Sequence, residues 1–255
     1  MLKSRITPCL LIRDKGLVKT KDFKPFKYIG DPINAVRIFN EKEADELIVL
    51  DIDATTKGLN PDFSIIKKIA AECRMPLCYG GGIKTVDHAE YIISLGVEKV
   101  AVSAAFIANP DLVADISSKI GSQSVVVILD VKKNFFGKYE VYTHNGTIRT
   151  KKKPIELAKL AVKFGAGEVV INSIDLDGAM SGYDLILAKN LRNAVNVPIS
   201  IMGGAGNLND MKSLFNVCGV VGAIAGSLFV FKGALQAVLI NYPSGVEKDN
   251  LVENN

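Results

Sequence analysis

The chain has 255 residues, 48% of them hydrophobic and 23% charged, and its 31 basic against 27 acidic side chains leave a net charge of +4. That composition excludes a disordered chain, and so mild a charge, with no aromatic-rich basic stripe, argues against nucleic acid and suits an anionic small-molecule substrate. No apolar run reaches the length a bilayer needs and the N-terminus lacks a signal-peptide core, so a soluble protein with no membrane partner is expected.

Arg5 to Ile12 is the first predicted strand, and Arg13 to Gly30 follows as a long basic loop without a helical period. A loop of that length inside a compact domain is usually functional. Asp31-Pro32 starts a helix reaching Asn40, with proline where its missing N–H costs nothing. The second strand is Glu46 to Asp53, a helix begins at Asn60-Pro61, and the third strand ends at Tyr79-Gly80. A helix after Lys84, a fourth strand from Glu98 to Ser103 and a helix from Asn109-Pro110 complete the first half. The fifth strand, Gln123 to Val131, is apolar until Asp130. Its continuation alternates about Phe-Gly and Asn-Gly turns, which predicts an inserted β-hairpin before a helix at Pro154. Strands six, seven and eight are expected at Glu168–Ile174, just before Gly203-Gly204, and at Val220–Ala225, with a helix after Gly182 and a last one running to about Asn241. Residues 242–255 read as a polar, frayed tail behind a single domain of residues 1–241.

Strands and helices alternate throughout, and the strands are continuous apolar runs, as in a parallel sheet buried on both faces. The halves repeat. Pro76 and Pro198, Gly81 and Gly203, Glu46 and Glu168, and Asp53 and Asp175 all share an offset of 122 residues. Eight βα units in a two-fold repeat, at a length near that typical of the fold, point to an α/β (β/α)₈ TIM barrel made of two half-barrels. The runner-up, a doubly wound sheet, lacks both a GxGxxG and a P-loop motif.

Cys9, Cys73, Cys78 and Cys218 are scattered without metal-like spacing and read as reduced core thiols, which implies a cytoplasmic setting. His88 and His144 have no partners in sequence, so neither a metal site nor a cofactor is expected.

In a barrel of this kind the active site lies at the carboxyl ends of the strands. Asp130 ends the fifth strand, where partial desolvation raises a carboxyl pKa and suits it to proton transfer; its other reading is an anchor for the hairpin that follows. Asp51 and Asp53 end the second strand and Asp175 and Asp177 follow the sixth, with turn-forming duty as the alternative. Gly81-Gly82 and Gly203-Gly204 offer bare backbone N–H groups for phosphate, as do Gly226 and Ser227 after the eighth strand, and the pairing suggests a substrate with two anionic ends. The alternative is that these glycines serve only tight turns. Lys19, in the first loop, is placed either to close over an anion or to lie in solvent. At the opposite mouth Arg5, Glu46, Lys99 and Glu168 all start strands and must pair if buried, as a plug or as a gate.

Over nearly its whole length the chain resembles the cyclase subunit of imidazole glycerol phosphate synthase, the HisF family of histidine biosynthesis. The resemblance rests on RITPCL, Gly30-Asp31-Pro32, ADELIVLDI, YGGGIKT, GSQSVVV with Asp130, YEVYTH, GAGE, SIDLDG with Gly182-Tyr183-Asp184, and GGAG at Gly203 to Gly206. It implies a HisH-like glutaminase on the amino-terminal face, delivering ammonia through a gate formed by Arg5, Glu46, Lys99 and Glu168 to a substrate at the other face. It makes Asp130 one of two catalytic aspartates and puts Lys19, Asp51 and Asp177 near the substrate. The second catalytic aspartate belongs directly after Pro-Cys-Leu, where this chain has Leu11. Ser103-Ala104 and Met202 also depart from the family pattern, so altered phosphate sites are expected. Loss of the acid–base group at Leu11 resembles the paralogues encoded with surface-polysaccharide genes, which with a glutaminase and a separate amidotransferase convert an acetamido to an acetamidino sugar. That reading is preferred to a working cyclase (lyase) and to a non-catalytic ammonia channel.

Overall fold

The computed structural model describes residues 3–233 and 235–252. In chain order its elements are β1 (Arg5–Arg13), β2 (Gly16–Lys21), β3 (Lys24–Gly30), α1 (Pro32–Glu41), β4 (Leu47–Asp51), α2 (Phe63–Glu72), β5 (Leu77–Gly80), α3 (Val86–Ser94), β6 (Lys99–Val102), α4 (Ala104–Ala108) and α5 (Asp111–Ile120). The second half holds β7 (Val125–Lys133), β8 (Tyr139–Thr143), β9 (Ile148–Arg149), α6 (Pro154–Lys163), β10 (Glu168–Ser173), α7 (Leu185–Ala194), β11 (Ile199–Met202), α8 (Leu208–Cys218), β12 (Gly222–Ala225), α9 (Ser227–Val230), β13 (Phe231–Lys232), β14 (Ala237–Val238) and α10 (Gly245–Val252).

Eight strands, β1, β4, β5, β6, β7, β10, β11 and β12, pair in parallel in that order, and β12 pairs back onto β1 from Arg5↔Gly222 to Pro8↔Ala225. The sheet is therefore a closed (β/α)₈ barrel. Its strands carry two cores. Alternate residues such as Leu10, Val49, Val127 and Ile171 pack under the helices, while Cys9, Ile48, Cys78, Ala101, Val126, Ile128, Val170, Met202 and Ile224 fill the lumen. The period of two along a strand sorts residues between the cores. The helices start where the sequence signals them: Asp31 accepts the Asn34 N–H ahead of Pro32, and Thr85 accepts that of His88. α2 and α5 begin one to three residues beyond their Asn-Pro pairs, at Phe63 and Asp111.

Three expectations are corrected. Arg13 to Gly30 is no loop but the antiparallel pair β2–β3, which extends β1 through Leu11↔Val18. The predicted last helix is one turn, α9, followed by the small hairpin β13–β14. The frayed tail is instead ordered through residue 252: Tyr242 and Leu251 are buried, and α10 starts on a Ser244–Glu247 capping box. Residues 253–255 lie outside the described residues.

Candidate functional site

The barrel strands are parallel, so the two ends of the barrel are built by strand starts and strand ends. At the amino-terminal mouth Arg5 Nη2 lies 2.7 Å from Glu168 Oε1 and Arg5 Nη1 lies 3.4 Å from Glu46 Oε2. Lys99 Nζ reaches Glu46 Oε1 at 2.6 Å and Glu168 Oε2 at 3.0 Å. The four charges form a closed ring of alternating sign. Ser200, which sequence reasoning missed, donates its hydroxyl to Glu168 Oε1 at 2.5 Å. Burial alone would push Lys99 down, but Glu168 and Glu46 outweigh it and hold the ammonium above its usual range. Burial pushes Glu168 up, Arg5 and Lys99 pull harder, and its carboxyl ends below the usual range. The ring is neutral as a whole, which is how three buried ionic groups, Glu46, Lys99 and Glu168, and the half-buried Arg5 are tolerated.

Beyond the ring the lumen is lined mainly by apolar side chains, with Thr7 of β1 as a buried polar residue on the same alternation, and at the carboxyl ends it opens into a cavity of about 490 Å³. Lys19, Asp51, Gly81, Gly82, Ser103, Asp130, Asp177, Gly203, Gly204, Gly226 and Ser227 all line this cavity. Asp53 and Asp175 do not: Asp53 is buried against Arg13 and Lys57, and Asp175 accepts the Lys133 N–H.

Asp130 Oδ1 accepts a hydrogen bond from Asn172 Nδ2 at 2.9 Å, across directly paired positions of β7 and β10. Burial raises its pKa from 3.8 to about 6, against the pull of that bond. Asn172 is 5% exposed, and its Oδ1 has no hydrogen-bond partner among the described residues. Sequence reasoning missed it, because only the closed barrel shows that Asn172, two places after Val170, faces the lumen. Burial also raises Asp177, which accepts the Thr20 hydroxyl at 2.6 Å and the Phe23 N–H at 3.4 Å, so the β2–β3 hairpin is tied over the cavity. Asp51 accepts the N–H groups of Asp53 and Ala54, a turn-forming duty, while its pKa too is raised by burial.

Lys19 is buried rather than solvated. Its Nζ donates to the Cys9 carbonyl at 2.5 Å, and burial lowers its pKa. It has no carboxylate within salt-bridge distance among the described residues. The glycine pairs serve close backbone crossing as well as the cavity: a Cβ on Gly81 (φ 123°) would lie 2.5 Å from the Asp51 carbonyl, and one on Gly203 (φ 91°) 2.6 Å from that of Ser173. The two clashes are equivalent across the repeat. The first turn of α8 is less open to an anion than its sequence suggests, because Asp210 Oδ2 accepts the N–H groups of Gly206 and Asn207. Among the described residues no group of three or more His, Cys, Asp or Glu could hold a metal ion.

A family model described as "Histidine biosynthesis protein" matches residues 5–236. "Imidazole glycerol phosphate synthase subunit HisF" of Alkaliphilus metalliredigens is 38% identical over 229 residues, 90% of this chain and 91% of that protein. The chain belongs to the HisF family. Within it, "Putative imidazole glycerol phosphate synthase subunit hisF3" of Vibrio vulnificus is 55% identical over 254 residues, covering 99% of this chain and 98% of the relative. "Putative imidazole glycerol phosphate synthase subunit hisF2" of Pseudomonas aeruginosa is 51% identical over 243 residues, with 95% and 97% covered. The protein is thus a HisF-like imidazole glycerol phosphate synthase subunit. In this HisF-family barrel Leu11 lines the cavity beside Leu50, its paired neighbour on β4, and brings no proton-transfer group to the site.

Proposed function

We propose that this barrel receives ammonia from a glutaminase subunit seated on its amino-terminal face and delivers it at the cavity for amidation of an anionic sugar, acetamido to acetamidino, with a separate amidotransferase. Leu11 carries the reading. A cyclase needs two proton-handling groups at the cavity, and losing one typically costs ~10²–10⁴ in rate. Ammonia transfer needs only the parts that remain: the ring of Arg5, Glu46, Lys99 and Glu168 as gate, a mainly apolar lumen that favours neutral ammonia over ammonium, and Asp130 to take up a proton at the exit. The amide oxygen leaves only when activated: the amidotransferase is assigned the transfer of a phosphoryl or nucleotidyl group from a nucleoside triphosphate to that oxygen, ammonia adds at the carbon, and the oxygen departs with the activating group. Lys19, Ser103, Gly81, Gly82, Gly203, Gly204, Gly226 and Ser227 hold the anionic groups, and Asp51 and Asp177 shape the pocket. The drop in identity from 55% to 38% between the hisF3 relative and the HisF of Alkaliphilus metalliredigens fits a branch of its own.

The test is a pair of assays on one preparation. Supplied with ammonia and the ribulosyl intermediate of histidine biosynthesis, the protein should turn over at least about 100-fold more slowly than a HisF with both aspartates. Leu11→Asp should recover part of that rate. Ordinary cyclase turnover by the unaltered chain would leave the histidine-pathway reading in its place. If Asp130→Asn keeps full activity in the reconstituted amidating complex, the barrel is only a conduit.

A further inference from the structure

The hairpin between β7 and β8 stands off the carboxyl-terminal face, because β7 runs past Asp130 to Lys133 before the chain turns. At its tip Phe135 is 98% exposed and Phe136 81% exposed. Their rings meet edge to face with centroids 5.6 Å apart, so they cover little but each other. The tip is nonetheless held. Asn134 Oδ1 accepts the N–H groups of Phe136 and Lys138, Asn134 Nδ2 donates to Glu140, and Gly137 N–H donates to the Asn134 carbonyl. A fixed turn thus presents two large apolar rings to water, which folding alone does not require.

The surroundings are basic. Lys132, Lys133 and Lys138 flank the rings in sequence; of the nearby carboxylates, Glu140 is matched by Arg149, Asp184 by Lys133 and the Tyr139 hydroxyl, and Asp175 accepts the Lys133 N–H. We propose that this hairpin tip is a membrane-surface contact, Phe135 and Phe136 entering the headgroup boundary of an anionic bilayer while Lys132 and Lys138 meet lipid phosphates. A protein-docking hot spot sits in a patch ringed by contacts that shut water out. Two rings on a projecting two-stranded finger with a lysine collar suit a fluid, negatively charged surface better. Phe26 of β3, 50% exposed, also lines the cavity and widens its apolar margin. The contact is peripheral, since no described helix is long and apolar enough to cross a membrane. It would turn the cavity toward the bilayer and leave the charged ring on the far face free, and it revises the expectation that no membrane is a partner.

The experiment is sedimentation of the full chain with vesicles of phosphatidylcholine containing about a quarter phosphatidylglycerol, across a salt series. The protein should sediment with these vesicles at low salt, be released as salt rises, and bind pure phosphatidylcholine weakly. Phe135→Ser with Phe136→Ser should weaken binding at least about tenfold at an unchanged thermal midpoint, and Lys132→Gln with Lys138→Gln should flatten the salt dependence. Absence of the unaltered chain from anionic vesicles, or a double Phe variant that sediments as well as it does, overturns the proposal. So does a dimer that the Phe variant dissolves, which would make the tip a protein contact.

Discussion

Asp130 and Leu11 are the last lumen-facing residues of the strands that open each half, and the chemistry of the site turns on their difference. Burial lifts Asp130 to about 6 while Asn172 pulls it back. A base of that acidity loses its ionised form as pH falls through about 6, so the ammonia-dependent step should show an acid limb there. Asn172→Ala removes the donor that favours the carboxylate, and a pH–rate profile should then show the limb at higher pH; a limb that stays put excludes Asn172 as the tuning group. The same shift acts on stability. The folded pKa lies above the unfolded value, so this group's contribution is full below 3.8 and lost as pH rises through about 6. Asp130→Asn should therefore stabilise the fold near neutral pH by on the order of 1–2 kcal/mol, allowing for water in the open cavity, while lowering turnover. Thermal melts near pH 7.5 and pH 4 check this, since the gain should vanish in acid.

Element starts and ends do the rest of the positioning. Because Arg5, Lys99 and Glu168 each open a strand and Glu46 precedes one, the closure of the barrel brings their charges together without any loop. Lys99→Ala would leave Glu46 and Glu168 sharing Arg5 alone. The ratio of glutamine hydrolysed to ammonia incorporated should then rise, as measured in the complex with the glutaminase, and an unchanged ratio would remove Lys99 from the gating role. The barrel strands were legible in the sequence because each is an apolar run that ends in a polar or glycine residue at the cavity. The β2–β3 hairpin was not. Its two turns place Asp14, Lys15, Asp22 and Phe23 at positive φ, where glycine or asparagine is the usual signal, and lysines obscure its alternation. Ser244 and Glu247 did spell a capping box for α10, but the polar composition around them read as a tail. Asn172 and Ser200 were hidden for another reason: a polar residue inside an apolar run looks like noise until the barrel closes around it.

At the scale of the molecule, a two-fold architecture carries a one-sided site. Leu50 and Asn172 are equivalent across the repeat, and each faces the last lumen residue of the neighbouring strand, Leu11 in one half and Asp130 in the other. One half-barrel thus presents an apolar pair and the other a hydrogen-bonded polar pair. Closure is also one-sided. Tyr242 donates its hydroxyl to the Ile6 carbonyl at 2.7 Å and accepts the Asp45 N–H at 3.1 Å, and Lys248 of α10 reaches Asp45 at 2.7 Å. The C-terminal segment therefore clasps the start of β1 beside the charged ring. Tyr242→Phe would strand a buried carbonyl and an N–H at a cost of about 1–3 kcal/mol, and ending the chain after Asn241 should cost more, because Leu251 leaves the core as well. Thermal unfolding of both variants measures the effect. If the truncated chain melts with the unaltered one, α10 is an ornament of the fold. If it melts lower and also loses coupling to the glutaminase, the clasp is what holds Arg5, the first residue of β1, in the ring.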